Sequence, residues 1–232
     1  MNSETTKRIA SLALAASALS PLAAVAQTAA SLPAPVAQPA PPARADAPAF
    51  AVGEAWTFAY ANALEPSKNA TYTQTVSSVA ADGSPTLNGG ALALDASGNL
   101  VKAATGSYQP SDGKLQFPLF VGKSWSASYV YRTGSWAASG DRQAKVVGVE
   151  RVETPAGAFD AFKVEQVVSW SGIAGNRGQG ITRETDWYAP AVGRIARMDF
   201  VDQPTHGAPT TTHVELVGFK PAPTAPARPA SQ

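Results

Sequence analysis

In the segment Trp56-Thr57-Phe58-Ala59-Tyr60 every second residue is aromatic. This period of two constrains the chain more than any other feature. Successive strand side chains point to opposite faces, whereas a helix would scatter the three rings around its circumference. The alternation returns in Trp125–Arg132, where Trp125, Ala127, Tyr129 and Tyr131 share a face and Ser126 and Ser128 lie opposite. In Phe162–Trp170 the apolar face is Phe162, Val164, Val168 and Trp170, interrupted by Gln166, with Lys163, Glu165 and Ser169 on the other side. One dry face and one wet face per segment predicts antiparallel sheet. No stretch between these segments has convincing helical periodicity.

The turn residues agree. Ala81-Asp82-Gly83 and Asp95-Ala96-Ser97-Gly98-Asn99 each separate two strand-like runs. Thr154-Pro155-Ala156-Gly157 sets Pro where φ is near −65° and Gly where φ is positive, which suits a hairpin turn. Ala189-Pro190-Ala191-Val192-Gly193 does the same between Ile181–Tyr188 and Arg194–Val201, and Thr211–Phe219 forms the last strand. The reading is a mostly β domain: an antiparallel meander of about ten strands, folded as a curved sheet, a half-barrel or a sandwich.

A short internal repeat divides that meander. Val52-Gly53-Glu54-Ala55-Trp56-Thr57-Phe58-Ala59-Tyr60 aligns with Val121-Gly122-Lys123-Ser124-Trp125-Ser126-Ala127-Ser128-Tyr129 as V-G-x-x-W-x-x-x-Y. Chance similarity of one short match is the competing explanation. The physical reading is two similar halves, each opening with a Gly turn and a Trp-anchored strand. Neither half alone would bury its aromatic face, so the halves are expected to pack together with Trp56 and Trp125 in the core.

The ends carry a different message. Lys7-Arg8, an apolar run from Ile9 to Leu19, Pro21 and Ala24-Val25-Ala26 have the layout of a secretory signal peptide cleaved after Ala26. The apolar run is shorter than the roughly 20 residues that span a bilayer. Residues 27–49 are built largely of Ala, Pro and Gln, with prolines at 33, 35, 39, 41, 42 and 48. Such a segment buries too little apolar surface to offset chain entropy and reads as a disordered linker. Residues 221–232 read likewise as a disordered tail. Residues 50–220 are left as a single β domain, a normal size for one. Periplasmic or secreted localisation follows from the signal, with no transmembrane segment once it is removed.

Composition narrows the function classes. The chain has no cysteine, so an exported domain must hold together without disulfides, and thiolate chemistry is closed to it. Removing residues 1–26 takes away Lys7, Arg8 and Glu4 and leaves basic and acidic residues equal in number. A neutral mature chain without a basic run is not expected to bind nucleic acid.

The second half also carries a resemblance. Phe117-Pro118-Leu119-Phe120-Val121-Gly122-Lys123-Ser124-Trp125 is followed by Val149–Val164, which contains Thr154-Pro155-Ala156-Gly157-Ala158-Phe159-Asp160-Ala161-Phe162-Lys163-Val164, and then by Asp186-Trp187-Tyr188-Ala189-Pro190-Ala191-Val192-Gly193-Arg194-Ile195. This order resembles a family of uncharacterised, exported envelope proteins of Gram-negative bacteria, a domain of unknown function marked by PLxxGKxW, VxxPAGxFxAxKV and WYAPxVG. The resemblance covers about Phe117–Phe200. It implies export and an antiparallel sheet, with a curved half-barrel like those of lipoprotein-carrier proteins, and it supplies no catalytic residues. Gly122, Gly157 and Gly193 then serve backbone geometry, and Trp125, Phe159, Phe162, Trp187 and Tyr188 serve packing.

The search for chemistry returns little. A Ser/His/Asp triad would have to use His206, in a loop, or His213, at the start of a strand, and there is no G-x-S-x-G elbow. Those histidines with Asp199, Asp202 and Glu215 would be needed for a metal site, but exposed histidines are the ordinary explanation. Glu184 and Asp186 share one strand face, and Glu150 and Glu153 straddle a strand end. Such carboxylates usually lie on the wet side of a sheet, so no close acid pair in a cleft is expected. Gly175-Asn176-Arg177-Gly178-Gln179-Gly180 lacks the following helix of a phosphate loop and reads as a hairpin tip. Trp136 stands apart from the other tryptophans, in the loop-like stretch Thr133–Gly140, and is the candidate ligand-binding residue.

The sequence therefore leans away from catalysis and implies no cofactor or metal. It favours an exported, non-enzymatic envelope protein that binds an apolar, lipid-like ligand or an envelope protein partner on its curved sheet. A structural spacer module and a carboxylate-based hydrolase of envelope sugars or esters are the alternatives.

Overall fold

The computed structural model describes residues 40–175 and 177–223. The signal segment, most of the Pro/Ala-rich linker and most of the C-terminal tail lie outside the described residues. The fold is a closed antiparallel barrel in which each strand pairs with its sequence neighbours and β1 closes against β12. The first half comprises β1 (Ala55–Asn62), β2 (Ala70–Val79), β3 (Pro85–Leu87), β4 (Leu92–Leu94), β5 (Leu100–Ala103) and β6 (Gly106–Gln109). The second comprises β7 (Ser124–Thr133), β8 (Trp136–Thr154), β9 (Gly157–Ala174), β10 (Gln179–Ala189), β11 (Arg194–Pro204) and β12 (Thr210–Lys220).

Twelve strands replace the expected ten or so, and the curved sheet closes completely. The surplus lies in β3–β6, which are three or four residues long and too short to show alternation. Closure removes the two edges that a half-barrel would have left unpaired. The expected turns stand where the sequence put them. Pro155-Ala156 turns β8 into β9, and the turn after β10 ends on Gly193 in the left-handed region.

The internal repeat is structural. Gly53 and Gly122 have φ of 87° and 93°, which favours a residue without a Cβ. Gly53 N–H donates to the Val76 carbonyl and Gly122 N–H to the Val146 carbonyl, both at 2.9 Å. Val76 and Val146 N–H return bonds to Glu54 and Lys123, again at 2.9 Å. Each half thus opens its first hairpin with the same bonded turn. Each repeated tryptophan then joins an apolar cluster. Trp56 packs with Phe58, Val76, Leu87 and Leu216, and Trp125 with Leu119, Val146, Phe162 and Tyr188. Trp56 Nε1 donates to the Val192 carbonyl in the other half at 2.8 Å. Trp125 Nε1 donates across to the Gly113 carbonyl at 3.1 Å. Burial of the Trp56 ring therefore draws on both halves, whereas Trp125 is covered by its own half together with Ala45 and the connection that carries Gly113, Leu115 and Leu119.

The outward positions of the long strands are largely polar. Asp141, Gln143, Lys145, Glu165 and Arg183 are exposed there, interspersed with the exposed apolar residues Val147, Val167, Ile181 and Val201, so the outer face is mixed and carries no continuous apolar band of the kind that faces lipid. The Pro/Ala-rich stretch meets the barrel at Ala45, which exchanges two backbone bonds of 2.9 and 2.8 Å with the buried Leu119.

Candidate functional site

The inward faces of β8, β9 and β10 pass through three levels. At the first, Val146, Val164 and Tyr188 join the Trp125 cluster. At the second, Arg142, Gln166, Glu184 and Asp186 are polar, yet at most 3% exposed. At the third, Ala138, Val168, Trp170 and Thr182 line a cavity of about 470 Å³. Tyr60, Tyr108, Tyr129, Tyr131, Trp136, Met198 and Phe200 complete its walls, so it is an aromatic cup inside the barrel. Its volume lies within the range of small-molecule sites, about 300–1,000 Å³.

The floor of the cup is a buried charge network. The connection between β6 and β7 carries Asp112, Lys114 and Leu115 into the interior. Asn99 fixes it there, exchanging bonds of 2.7 and 3.0 Å with the Leu115 backbone. Lys114 Nζ donates to Glu184 Oε1, and Arg142 Nη1 donates to Glu184 Oε2 at 3.2 Å. Arg142 also donates from Nη1 to Gln166 Oε1 at 2.7 Å and from Nε to the Asp112 carbonyl at 3.0 Å. Gln166 Nε2 donates to Asp186 Oδ2 at 2.5 Å. Asp112 Oδ1 accepts the Leu100 N–H at 3.0 Å.

The two neighbouring carboxyls titrate apart. Burial pushes Glu184 up, but the Lys114 and Arg142 charges outweigh it and hold the group down at about 2. Burial and then the Glu184 charge push Asp186 well above the usual carboxylate range. Asp186 Oδ1 has no hydrogen-bond partner, while Oδ2 accepts from Gln166. Burial also raises Asp112. Lys114 and Arg142 stay charged because the surrounding carboxylates outweigh their desolvation.

Two sequence expectations change here. Glu184 and Asp186, read as wet-face carboxylates, instead point inward and are buried in neighbouring positions of one strand face; Asp186 does not line the cup. Arg183 and Thr185 occupy the wet side instead, and Arg183 is exposed. Trp136 was expected in a loop. The β7–β8 turn is only Gly134-Ser135, so Trp136 opens β8 opposite Thr133. Its half-buried ring packs edge-on against Tyr131 at 5.4 Å, and its Nε1 has no partner. Asp199 and Asp202 point to opposite sides. Asp199 faces out and pairs with His213 Nδ1 at 2.6 Å. Asp202 faces in and accepts from Trp170 Nε1 at 2.8 Å and Thr182 Oγ1 at 2.7 Å. His206 sits in the exposed β11–β12 connection. Among the described residues no group of three could hold a metal ion. Glu150 lies away from the cup, accepting from Trp187 Nε1 at 2.9 Å and Lys163 Nζ at 3.1 Å, and those bonds lower its pKa; Glu153 is exposed.

Sequence reasoning missed Asp112, Lys114 and Arg142. One usable signal existed. Gln166 interrupts an apolar face, and Glu184 and Asp186 share their alternation with the aromatic Tyr188. Polar residues set in a dry face mark a buried network. The arrangement can hold a small molecule with mostly apolar surface against the rings and a polar group at the floor. It is poorly arranged for carboxylate catalysis. Both Glu184 oxygens hold cations, and Asp186 does not line the cup.

Comparison with known proteins adds the following. Residues 138–200, from β8 into β11, match a DUF3108-like family model. No curated protein matches the sequence. The hypothetical lipoprotein YmcC from Escherichia coli is 12% identical with a TM-score of 0.43, over 75% of this chain and 87% of that one. A "putative lipoprotein" from Parabacteroides distasonis is 12% identical with a TM-score of 0.39, over 76% of this chain and 99% of that one. A "putative exported protein with YmcC-like fold" from Bacteroides fragilis is 14% identical with a TM-score of 0.38, over 76% of this chain and 99% of that one. This chain is similar to the DUF3108-like family through the very strands that carry Arg142, Gln166, Glu184 and Asp186.

Proposed function

We propose that the protein is an exported, non-enzymatic binding protein that holds one small, largely apolar ligand in the aromatic cup. The observation that carries this reading is the cavity of about 470 Å³ walled by tyrosine, tryptophan and phenylalanine rings inside a closed barrel. Concave, mostly apolar sites with a few convergent polar groups suit small ligands. The signal-like residues 1–26 support an extracytoplasmic location. Trp136, at the start of β8 and on the cup wall, is assigned a contact with the ligand.

The test is titration with N-phenyl-1-naphthylamine, an uncharged probe whose emission rises in apolar surroundings. The expected result is saturable binding of one probe per chain, weakened about tenfold by Trp136→Ala. Absence of saturable binding, or binding indifferent to Trp136→Ala, would refute the reading.

A further inference from the structure

The cup wall is built in an unusual way. A Cβ added to Gly140 would lie 2.5 Å from Cζ and 2.8 Å from the hydroxyl of Tyr129, on the neighbouring strand. One added to Gly106 would lie 2.7 Å from the Tyr131 hydroxyl, and one added to Gly180 would lie 2.7 Å from Cζ2 of Trp170. In each case the far end of a ring occupies the space a neighbouring side chain would need. These rings therefore lean over the neighbouring strands of the barrel wall, where Tyr108 meets Tyr129 edge-on at 70° and Tyr131 at 45°, so ring faces and ring edges together line the cavity. Tyr108 links two of them, with ring centroids 5.3 Å from Tyr129 and 4.9 Å from Tyr131.

The floor is equally specific. Both of its cations are already engaged by Glu184, one at each carboxylate oxygen. An anionic ligand would have to compete with Glu184 for Lys114 and Arg142 while adding negative charge beside the Glu184 carboxylate. A cationic ligand would meet Lys114 and Arg142 directly. Burying an unmatched charge is far more costly than seating a hydroxyl or amide that bonds to the network.

Resting on the cup reading above, we infer that the ligand is uncharged and ring-bearing, with a flat ring system against the wall and a hydroxyl-type group at the Lys114–Glu184–Arg142 floor. Flexible acyl chains suit the site less well. They lose rotamer freedom on entry and cannot match planar faces, whereas a rigid ring is preorganised.

The test is calorimetric titration of the purified full-length protein at pH 7 with 2-naphthol, 2-naphthoate and 1-decanol. The expected result is one equivalent of 2-naphthol bound at least tenfold more tightly than either of the others. Gly140→Ala, which displaces the Tyr129 ring, is expected to weaken 2-naphthol at least fivefold. Should that variant melt early, Tyr131→Leu serves in its place. Equal or tighter binding of 2-naphthoate would overturn the uncharged class, and equal or tighter binding of 1-decanol the ring-bearing class, while both would leave cup binding standing. No binding of any probe would overturn the inference together with the cup reading.

Discussion

Asp186→Asn should stabilise the protein, and the gain should grow with pH. Asp186 is fully buried, accepts the Gln166 amide at 2.5 Å through Oδ2, and has no acceptor bond at Oδ1. Burial and the adjacent Glu184 raise its folded pKa well above the ordinary value. Between the unfolded value, near 4, and the folded one, the native state holds a proton that the unfolded state has released. Unfolding stability of the wild type therefore falls by about 1.4 kcal/mol per pH unit in that window, and the contribution is fully intact only below pH ~4. Asparagine carries no such proton. Its amide oxygen can still accept from Gln166, and its NH₂ takes the place of the unpartnered oxygen. Urea unfolding of both proteins from pH 4 to 8, followed by tryptophan fluorescence, measures the difference. That difference should rise by about 1.4 kcal/mol per unit from pH ~4 and level off where Asp186 itself ionises. Glu184 is held at about 2 and is ionised throughout this range, so its contribution cancels between the two proteins. A difference independent of pH, or an asparagine variant that is less stable at every pH, would show that Asp186 is ionised in the fold and that the two carboxyls do not divide their roles.

Two further outcomes follow from the same geometry. Arg142→Met keeps most of the buried stem but leaves Glu184 with Lys114 alone and strips the donor from Gln166 Oε1 and the Asp112 carbonyl. It should cost about 3–5 kcal/mol in urea unfolding at pH 7, and a loss below about 1 kcal/mol would mean the network is not closed as described. Trp136→Phe removes an indole N–H that has no partner and should leave stability within about 0.5 kcal/mol of wild type, whereas Trp170→Phe breaks the 2.8 Å bond to Asp202 and should cost about 2 kcal/mol. Equal melting temperatures for these two variants would contradict the assignment of their N–H groups.

The fold was legible wherever strands were long enough to alternate. The dry faces of Trp56–Tyr60, Trp125–Tyr131 and Phe162–Trp170 point inward as read, and the Val-Gly-x-x-Trp repeat became two equivalent bonded turns. Strands β3–β6 were less legible because three or four residues carry too few alternations to count. The site was legible only in part. Trp136 stands out in the sequence because Thr133–Gly140 reads as a loop; the stretch is instead the β7–β8 turn and the start of β8, and within it Gly140 lies under Tyr129. Glu184 and Asp186 were noticed but placed on the wrong face, since a carboxylate on a strand is ordinarily solvated. Lys114 and Asp112 come from a connection whose path no local pattern reveals. Their partners are distant in sequence, Lys114 lying 70 residues from Glu184.

The cavity itself follows from the strand number. A barrel of about eight strands has an interior that side chains alone can fill, and wider barrels leave space. With twelve strands, this protein fills its interior unevenly. Two tryptophan-centred clusters and the inserted connection through Leu115 and Leu119 occupy part of it. The cup remains where β1 and β6–β12 carry rings and short polar residues inward and the inserted connection contributes only Asp112 and Lys114. A wholly apolar floor would have sealed that space with another packed layer. The Lys114–Arg142–Glu184–Gln166–Asp186 layer instead satisfies its own charges internally and still presents Lys114, Arg142 and Glu184 to the cup. Such a layer is costly to bury, and replacing it with apolar residues of similar volume would often be neutral or stabilising. The proposed ligand site gives the layer a use at the cup floor that packing alone does not require.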